Sequence, residues 1–231
     1  MPSDRARLYH HVYADRAEAG RVLGEHLARA LGARRDDVLV LALPRGGVPV
    51  AAEVALALDA PLDLLLVRKL GVPGHEELAL GALASGGVRV LNQDVVGGLG
   101  ISPATIEEVA RREEAELERR ARAYRGDRPP PRVRGRRVVL VDDGLATGAT
   151  MRAAAAAVRH GGPARVVVAV PVAPADTAEA LAREVDEVVC PATPAPFFGV
   201  GQWYVDFGQT TDDEVRELLA RAWRRQPEVT S

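Results

Sequence analysis

Short runs of valine and leucine recur along the chain, and each is followed by a longer stretch with apolar residues at helical spacing. The runs are Val38 to Leu43, Leu62 to Val67, Val138 to Val141, Val166 to Val170 and Val185 to Cys190. Apolar runs without polar alternation suit strands buried on both faces, so a parallel sheet covered by helices is predicted. Gly47 to Leu58, Ala149 to His160 and Ala175 to Glu184 supply crossover helices, and Asp15 to Leu31 forms a helix ahead of the first strand. Right-handed crossovers make this a doubly wound α/β sandwich.

The alternation breaks between Arg68 and Arg136. Leu78 to Leu83 and Val88 to Leu91, separated by Ser85-Gly86-Gly87, read as a hairpin that brings one antiparallel strand to the sheet. Ser102 as N-cap and Pro103 at the first helical position open a charged helix, an insertion over residues 102–125. Glu107/Arg111, Glu108/Arg112, Glu116/Arg120 and Glu118/Arg122 stand at (i, i+4) spacing along it, and only Ile106, Val109, Leu117 and Ala121 form an apolar stripe. That pattern describes a solvated helix over the edge of the domain; acids matching the bases make it a poor recognition helix for nucleic acid. Gly126 to Pro131 follows as a stiff spacer.

The 231 residues are 47% hydrophobic and 27% charged, which fits a single domain over residues 1–231. A formal charge of -2 gives no overall attraction for DNA or an anionic membrane, so any bound anion must be met locally. One cysteine, Cys190, rules out an internal disulfide, and with five scattered histidines no metal cluster can be built around it. The opening residues carry no apolar run of signal-peptide type and no stretch approaches a bilayer span, so a cytoplasmic location is expected. Of the 30 basic residues only Lys69 is lysine, which singles that position out.

The strongest chemical signal is Val138-Val139-Leu140-Val141-Asp142-Asp143-Gly144-Leu145-Ala146-Thr147-Gly148-Ala149-Thr150. A buried strand ends in two carboxylates, and a loop of small and hydroxyl residues opens an alanine-rich helix. Free amides at a helix N-terminus face an anion, Thr147 and Thr150 add hydroxyl donors, and Gly148 permits close backbone approach. The paired carboxylates are placed to accept from two vicinal hydroxyls. Together these groups describe a ribose phosphate site. An acidic N-cap followed by a glycine turn would account for one aspartate but not for the array.

Over all thirteen positions the segment resembles the phosphoribosyl pyrophosphate (PRPP) motif of the type I phosphoribosyltransferases. The resemblance implies that Ala146, Thr147, Gly148, Ala149 and Thr150 hold the 5-phosphate and that Asp142 and Asp143 hold the ribose hydroxyls. It further implies an αβα core with a six-stranded sheet whose third strand is antiparallel, magnesium bound mainly through PRPP, and no protein metal ligands; a homodimer is expected.

Three further segments take meaning beside it. Leu43-Pro44-Arg45-Gly46-Gly47 ends the first predicted strand and resembles the family's pyrophosphate loop: Gly46 and Gly47 would expose amides, and Arg45 supplies a fork for phosphate oxygens. An ordinary strand-to-helix turn is the plainer alternative, and the resemblance implies a cis bond between Pro44 and Arg45. Both loops would lie at strand C-termini, flanking the crevice where strand order reverses. Residues 68–91 hold the family's flexible loop and the hairpin; Arg68 and Lys69 in Arg68-Lys69-Leu70-Gly71-Val72-Pro73-Gly74-His75-Glu76 would cover the leaving pyrophosphate when the lid closes, or else form a solvated pair. Residues 191–210 match the hood over the acceptor base, with Phe197, Phe198, Trp203, Tyr204 and Phe207 inside eleven positions. Phe198, Trp203 and Tyr204 are the expected stacking groups for a flat heterocycle; a satellite core or dimer surface is the alternative.

Departures from the family pattern narrow the acceptor. Members acting on hypoxanthine or guanine place an aspartate where Ala146 stands, and adenine-using members a glutamate where Ala79 aligns. A lysine three residues after the first, as in orotate or adenine users, is replaced by Val72. The expected activity is transfer of ribose 5-phosphate from PRPP to a heterocyclic nitrogen base with release of pyrophosphate. A non-catalytic PRPP- or nucleotide-sensing protein is the competing class, and the Arg-Lys segment and aromatic hood favour the enzyme.

Overall fold

A computed structural model describes residues 13–33, 36–85 and 87–225. Asp15 caps α1 (Arg16–Leu31) by accepting the Glu18 amide at 2.7 Å. The chain continues through β1 (Val38–Ala42), α2 (Gly47–Leu58) and β2 (Leu62–Leu64). Three antiparallel strands follow, β3 (Val67–Val72), β4 (His75–Ala84) and β5 (Val88–Leu91), then α3 (Gln93–Gly98) and α4 (Pro103–Arg125). The regular alternation resumes with β6 (Arg137–Val141), α5 (Ala149–His160), β7 (Arg165–Ala169), α6 (Ala175–Ala182) and β8 (Glu187–Val189), and α7 (Asp212–Arg225) ends the described chain.

The main sheet runs β2-β1-β6-β7-β8 and every pairing in it is parallel. Its strands divide their side chains between two cores, as a fully buried strand must. Val38, Val40 and Ala42 face α1, α2, α4 and α7 in one cluster; Leu39, Leu41 and Leu43 face α5 and α6 in the other. The result is the three-layered α/β sandwich expected from the sequence. Strand order reverses between β1 and β6, so the loops after those two strands flank the switch point.

The strand count differs from expectation. The sheet has five strands rather than six, and the antiparallel pairing forms a separate three-stranded sheet, β3-β4-β5. The Leu62 to Val67 run splits: Leu65 still donates to Ala42 O at 2.9 Å, whereas Val67 already pairs with Ala84. The meander leaves the main sheet because both its faces are apolar and need cover. Leu70, Val72, Leu80 and Leu83 pack with Ile106, Val109, Ala110 and Leu117 of α4, while Val67, Ala84, Val88 and Val90 pack on the α5 side. The segment expected as an open lid is therefore β3, the Pro73-Gly74 turn and the start of β4, with register shifts on either side of Gly71. Gly86, in the expected turn before β5, lies outside the described residues.

α4 is also more than a solvated edge helix. Beyond the predicted stripe it buries Ala110, Glu113, Tyr124 and Arg125. Arg125 Nε meets Asp63 Oδ1 at 2.7 Å with both side chains under 10% exposed (4% and 8%), and it also donates to Leu64 O, so the helix end is locked to β2. Of the expected helical ion pairs Glu118 and Arg122 meet at 3.4 Å, while Glu107 reaches across to Arg89 and Glu116 takes Arg119. No helix among the described residues is long and apolar enough to cross a membrane.

Candidate active site

The loops after β1 and β6 meet in direct contact. Leu43 N donates to Val141 O at 2.9 Å, extending the β1–β6 pairing one residue past the strand. A Cβ on Gly46 would lie 2.1 Å from Asp143 Oδ2, and one on Gly47 2.7 Å from Val141 O and 2.9 Å from Asp142 Cα. Only glycine leaves room for this approach. The bond between Pro44 and Arg45 is cis, as the family resemblance implied. One expectation is corrected: the Gly47 amide is not exposed for a ligand but donates to Leu43 O at 3.1 Å, closing the first turn of α2, whereas no acceptor among the described residues takes the Gly46 amide. Arg45 reaches Asp212, at the start of α7, with 3.7 Å between Nη1 and Oδ1; Asp212 also accepts from Tyr124 at 2.7 Å.

Asp142 and Asp143 stand half-buried at the end of β6. Asp142 Oδ1 accepts the Asp143 amide at 2.9 Å, and Asp143 Oδ2 accepts from Arg16 Nε at 2.8 Å. Burial, then the neighbouring Asp143 charge, pushes the Asp142 carboxyl well above its ordinary range. Burial also raises Asp143, with Arg16 opposing it. Such a pair gains when hydroxyl donors or cations reach it.

Beyond them the chain forms an anion cradle. Gly148 adopts φ +72°, a left-handed conformation that suits glycine, and serves as the N-cap of α5. The loop's carbonyls are engaged from behind: Thr177 Oγ1 donates to Ala146 O at 3.1 Å, and Arg152 Nη1 to Thr147 O at 3.0 Å. No acceptor among the described residues takes the amides of Thr147, Gly148 or Thr150, and Ala146, Thr147, Ala149 and Thr150 are exposed. Amides that no acceptor among the described residues takes, a helix N-terminus and two exposed threonine hydroxyls are groups that can hold an anion such as phosphate. Sequence order alone exposes none of the supports behind it; Arg152 and Thr177 are read only from the folded chain.

Arg68 and Lys69 lie on β3. Arg68 binds Glu113 of α4, with Nε–Oε2 2.8 Å and Nη2–Oε2 2.7 Å, and Lys69, one residue on and hence on the opposite face, is exposed.

The hood is tethered at both ends, by the Val172–Ala192 and Tyr13–Tyr204 bridges, and contains a 3-10 turn over Val200–Trp203. Two of its three expected stacking groups are corrected. Trp203 and Tyr204 are only 4% and 5% exposed, packed with Tyr13, Ala19, Val172 and Ala192 as a satellite core, so neither offers an open ring face. Tyr204 instead donates to Asp143 O at 2.5 Å, and burial followed by the Asp143 charge holds its hydroxyl far above its usual value. Phe198 is 87% exposed, on a tip pinned by Gln202, which accepts from the Phe198 amide at 3.4 Å and donates to Pro196 O at 3.3 Å.

Fold and crevice define the class. The chain belongs to the phosphoribosyl transferase domain family, whose model matches residues 15–202. It is 53% identical, over 92% of its length, to a provisionally named phosphoribosyl transferase found in two strains of Mycobacterium tuberculosis. The alignment covers 47% of that protein, so the chain spans about half the length of these curated relatives. The crystal structure of TT1426 from Thermus thermophilus is 46% identical and superposes with a TM-score of 0.82, covering 91% of this chain and 98% of that one.

Proposed function

We propose that the chain is a phosphoribosyltransferase that transfers ribose 5-phosphate from PRPP to a heterocyclic nitrogen base and releases pyrophosphate. The observation that carries this reading is the meeting of the two loops at the switch point: Arg45 and Gly46 on one side, two carboxylates followed by an anion cradle on the other, with Gly46 so near Asp143 that a Cβ there would lie 2.1 Å from Oδ2. The cradle built by Thr147, Gly148 and Thr150 takes the 5-phosphate. Asp142 and Asp143 together accept the 2- and 3-hydroxyls, Asp143 taking the 2-hydroxyl. Arg45 and the Gly46 amide take the pyrophosphate; Arg68 and Lys69, on opposite faces of β3, reach it together only once Arg68 leaves Glu113 and this stretch of β3 unpairs from β4. C1 then lies between base and leaving group; its bond to the pyrophosphate oxygen breaks with the electron pair going to pyrophosphate, and a ring nitrogen bonds to C1 from the opposite face as its N–H proton passes to water. The cations stabilise the charge that develops on the departing group. The exposed ring of Phe198 is the stacking surface for the base, worth about 1–3 kcal/mol for one base on one aromatic.

The donor set bears on magnesium. Asp142 offers carboxylate oxygen, which suits a hard divalent cation, but one oxygen of Asp143 is engaged by Arg16. No group of three or more His, Cys, Asp or Glu that could hold a metal occurs among the described residues. Asp142 would offer a carboxylate oxygen to magnesium carried in on the phosphates of PRPP, and that cation would neutralise charge on the leaving group.

Pyrophosphate release from PRPP, followed across a panel of purines, pyrimidines and related heterocycles, tests the reading. Base-dependent release supports it; tight PRPP binding with no release for any base transfers the chain to the sensing class.

A further inference from the structure

One side chain outside the PRPP motif touches both the carboxylate pair and the hood and stands beside the pyrophosphate loop. Arg16, in the first turn of α1, is 12% exposed. Its Nε donates to Asp143 Oδ2 at 2.8 Å, and its Nη1 donates to Gly208 O, just beyond the aromatic hood cluster, at 2.7 Å. The guanidinium carbon stands 3.9 Å from the centroid of Phe207 and 6.0 Å from that of Tyr204, a cation over aromatic rings. The pyrophosphate loop closes on the same point, since a Cβ on Gly46 would lie 2.1 Å from Asp143 Oδ2 and 3.4 Å from Arg16 Nε. α1 is seated for this contact by its packing on α2, where Gly20 approaches so closely that a Cβ would meet Val50 O at 2.6 Å.

Resting on the PRPP reading above, the geometry points to Arg16 as a positioning residue for the ribose. By taking Oδ2 of Asp143 it fixes the carboxylate and leaves Oδ1 to the sugar diol. By gripping Gly208 O and stacking on Phe207 it ties the far end of the hood to that carboxylate, so ribose recognition and hood position are set together. A planar fork spans these acceptors while stacking; an ammonium group has neither the reach nor the flat face. Two of the three guanidinium nitrogens of Arg16, Nε and Nη1, already hold protein acceptors.

The test is calorimetric titration of the full chain with ribose 5-phosphate, 2-deoxyribose 5-phosphate and inorganic pyrophosphate, for the wild type, Arg16→Gln and Arg16→Lys. The wild type should prefer the ribo sugar about tenfold, the worth of one hydrogen bond to a charged group. Arg16→Gln should bring that ratio close to one and leave pyrophosphate affinity within about twofold, with Arg16→Lys recovering part of the ratio. A role in folding or in general electrostatics would weaken both sugars alike, so an unchanged ratio in Arg16→Gln overturns the inference, as does a loss confined to pyrophosphate. Should Arg16→Gln fail to fold, Phe207→Leu removes the stack alone and should lower the ratio about twofold; no change there also overturns it. A wild type indifferent to the missing hydroxyl overturns the diol assignment itself, and is thereby distinct from a failure of Arg16.

Discussion

Gly46→Ala is a one-methyl perturbation placed at the junction of the site. Gly46 has φ -59° and ψ -32°, which alanine adopts freely, so any effect comes from the added Cβ and not from the backbone. That Cβ would stand 2.1 Å from Asp143 Oδ2 and 2.8 Å from its Cγ, where carbon and oxygen normally rest at about 3.5 Å. The carboxylate must swing away by more than about 1 Å, which breaks its 2.8 Å bond to Arg16. Overpacking of this kind costs about 1–3 kcal/mol of stability. Losing the orientation of a charged acceptor costs about 1.5–3 kcal/mol of binding, a fall of roughly ten- to a hundredfold in PRPP affinity. Thermal unfolding and calorimetry measure the two effects. Gly98→Ala is the control: nothing lies within 4 Å of its Cβ and it sits at the end of α3, so stability should hold or rise slightly. A Gly46→Ala protein with wild-type PRPP affinity would refute the claim that loop contact holds the carboxylates in place.

Asp142→Asn should raise Tm while weakening PRPP binding roughly tenfold. Because burial holds the Asp142 carboxyl above its ordinary range, the unfolded chain gives up that proton first; the cost is absent below the unfolded pKa and grows as pH rises through the carboxyl range, so the gain should be larger at pH 8 than at pH 4, and an equal gain at both would contradict this. Asp63→Ala leaves Arg125 buried without its carboxylate and should cost about 3–5 kcal/mol in urea unfolding; a wild-type midpoint would show that α4 is not locked to β2. Lys69→Ala should lower kcat with little change in PRPP affinity if its cation meets pyrophosphate only in the transition state, which single-turnover kinetics reads directly; wild-type kcat would leave the lysine without a catalytic role.

The main sheet and its helices were legible because two-sided burial leaves unbroken runs such as Val38 to Leu43 and Val138 to Val141, and α2 and α5 were bounded correctly at Gly47, Leu58, Ala149 and His160. An unbroken run does not say where hydrogen bonding stops, which is why Leu62 to Val67 read as one strand although the chain changes sheets after Leu65. In β3, Arg68, Leu70 and Val72 share one face, a pattern that the Gly71 and Pro73-Gly74 punctuation obscures in the sequence. The phosphate cradle was visible because its chemistry is contiguous from Asp142 to Thr150. The contacts that complete it are not: Arg16 and Asp143 are 127 positions apart, and Asp212 reaches back to Arg45 from the last helix. Nor does aromatic clustering distinguish a ring that stacks on a ligand from one that fills a small core; Phe198 and Trp203 differ only in what folds over them.

The central claim is that the crevice between β1 and β6 holds PRPP through Asp142, Asp143 and the cradle beyond them. Calorimetric titration of PRPP with magnesium into the wild type and into the Asp142→Asn/Asp143→Asn double variant tests it most directly. The account predicts saturable one-site binding to the wild type and at least a tenfold loss, by the order of magnitude of one charged hydrogen bond, in a variant whose circular dichroism is unchanged. Equal affinity in the two proteins, or no binding to the wild type, would contradict it.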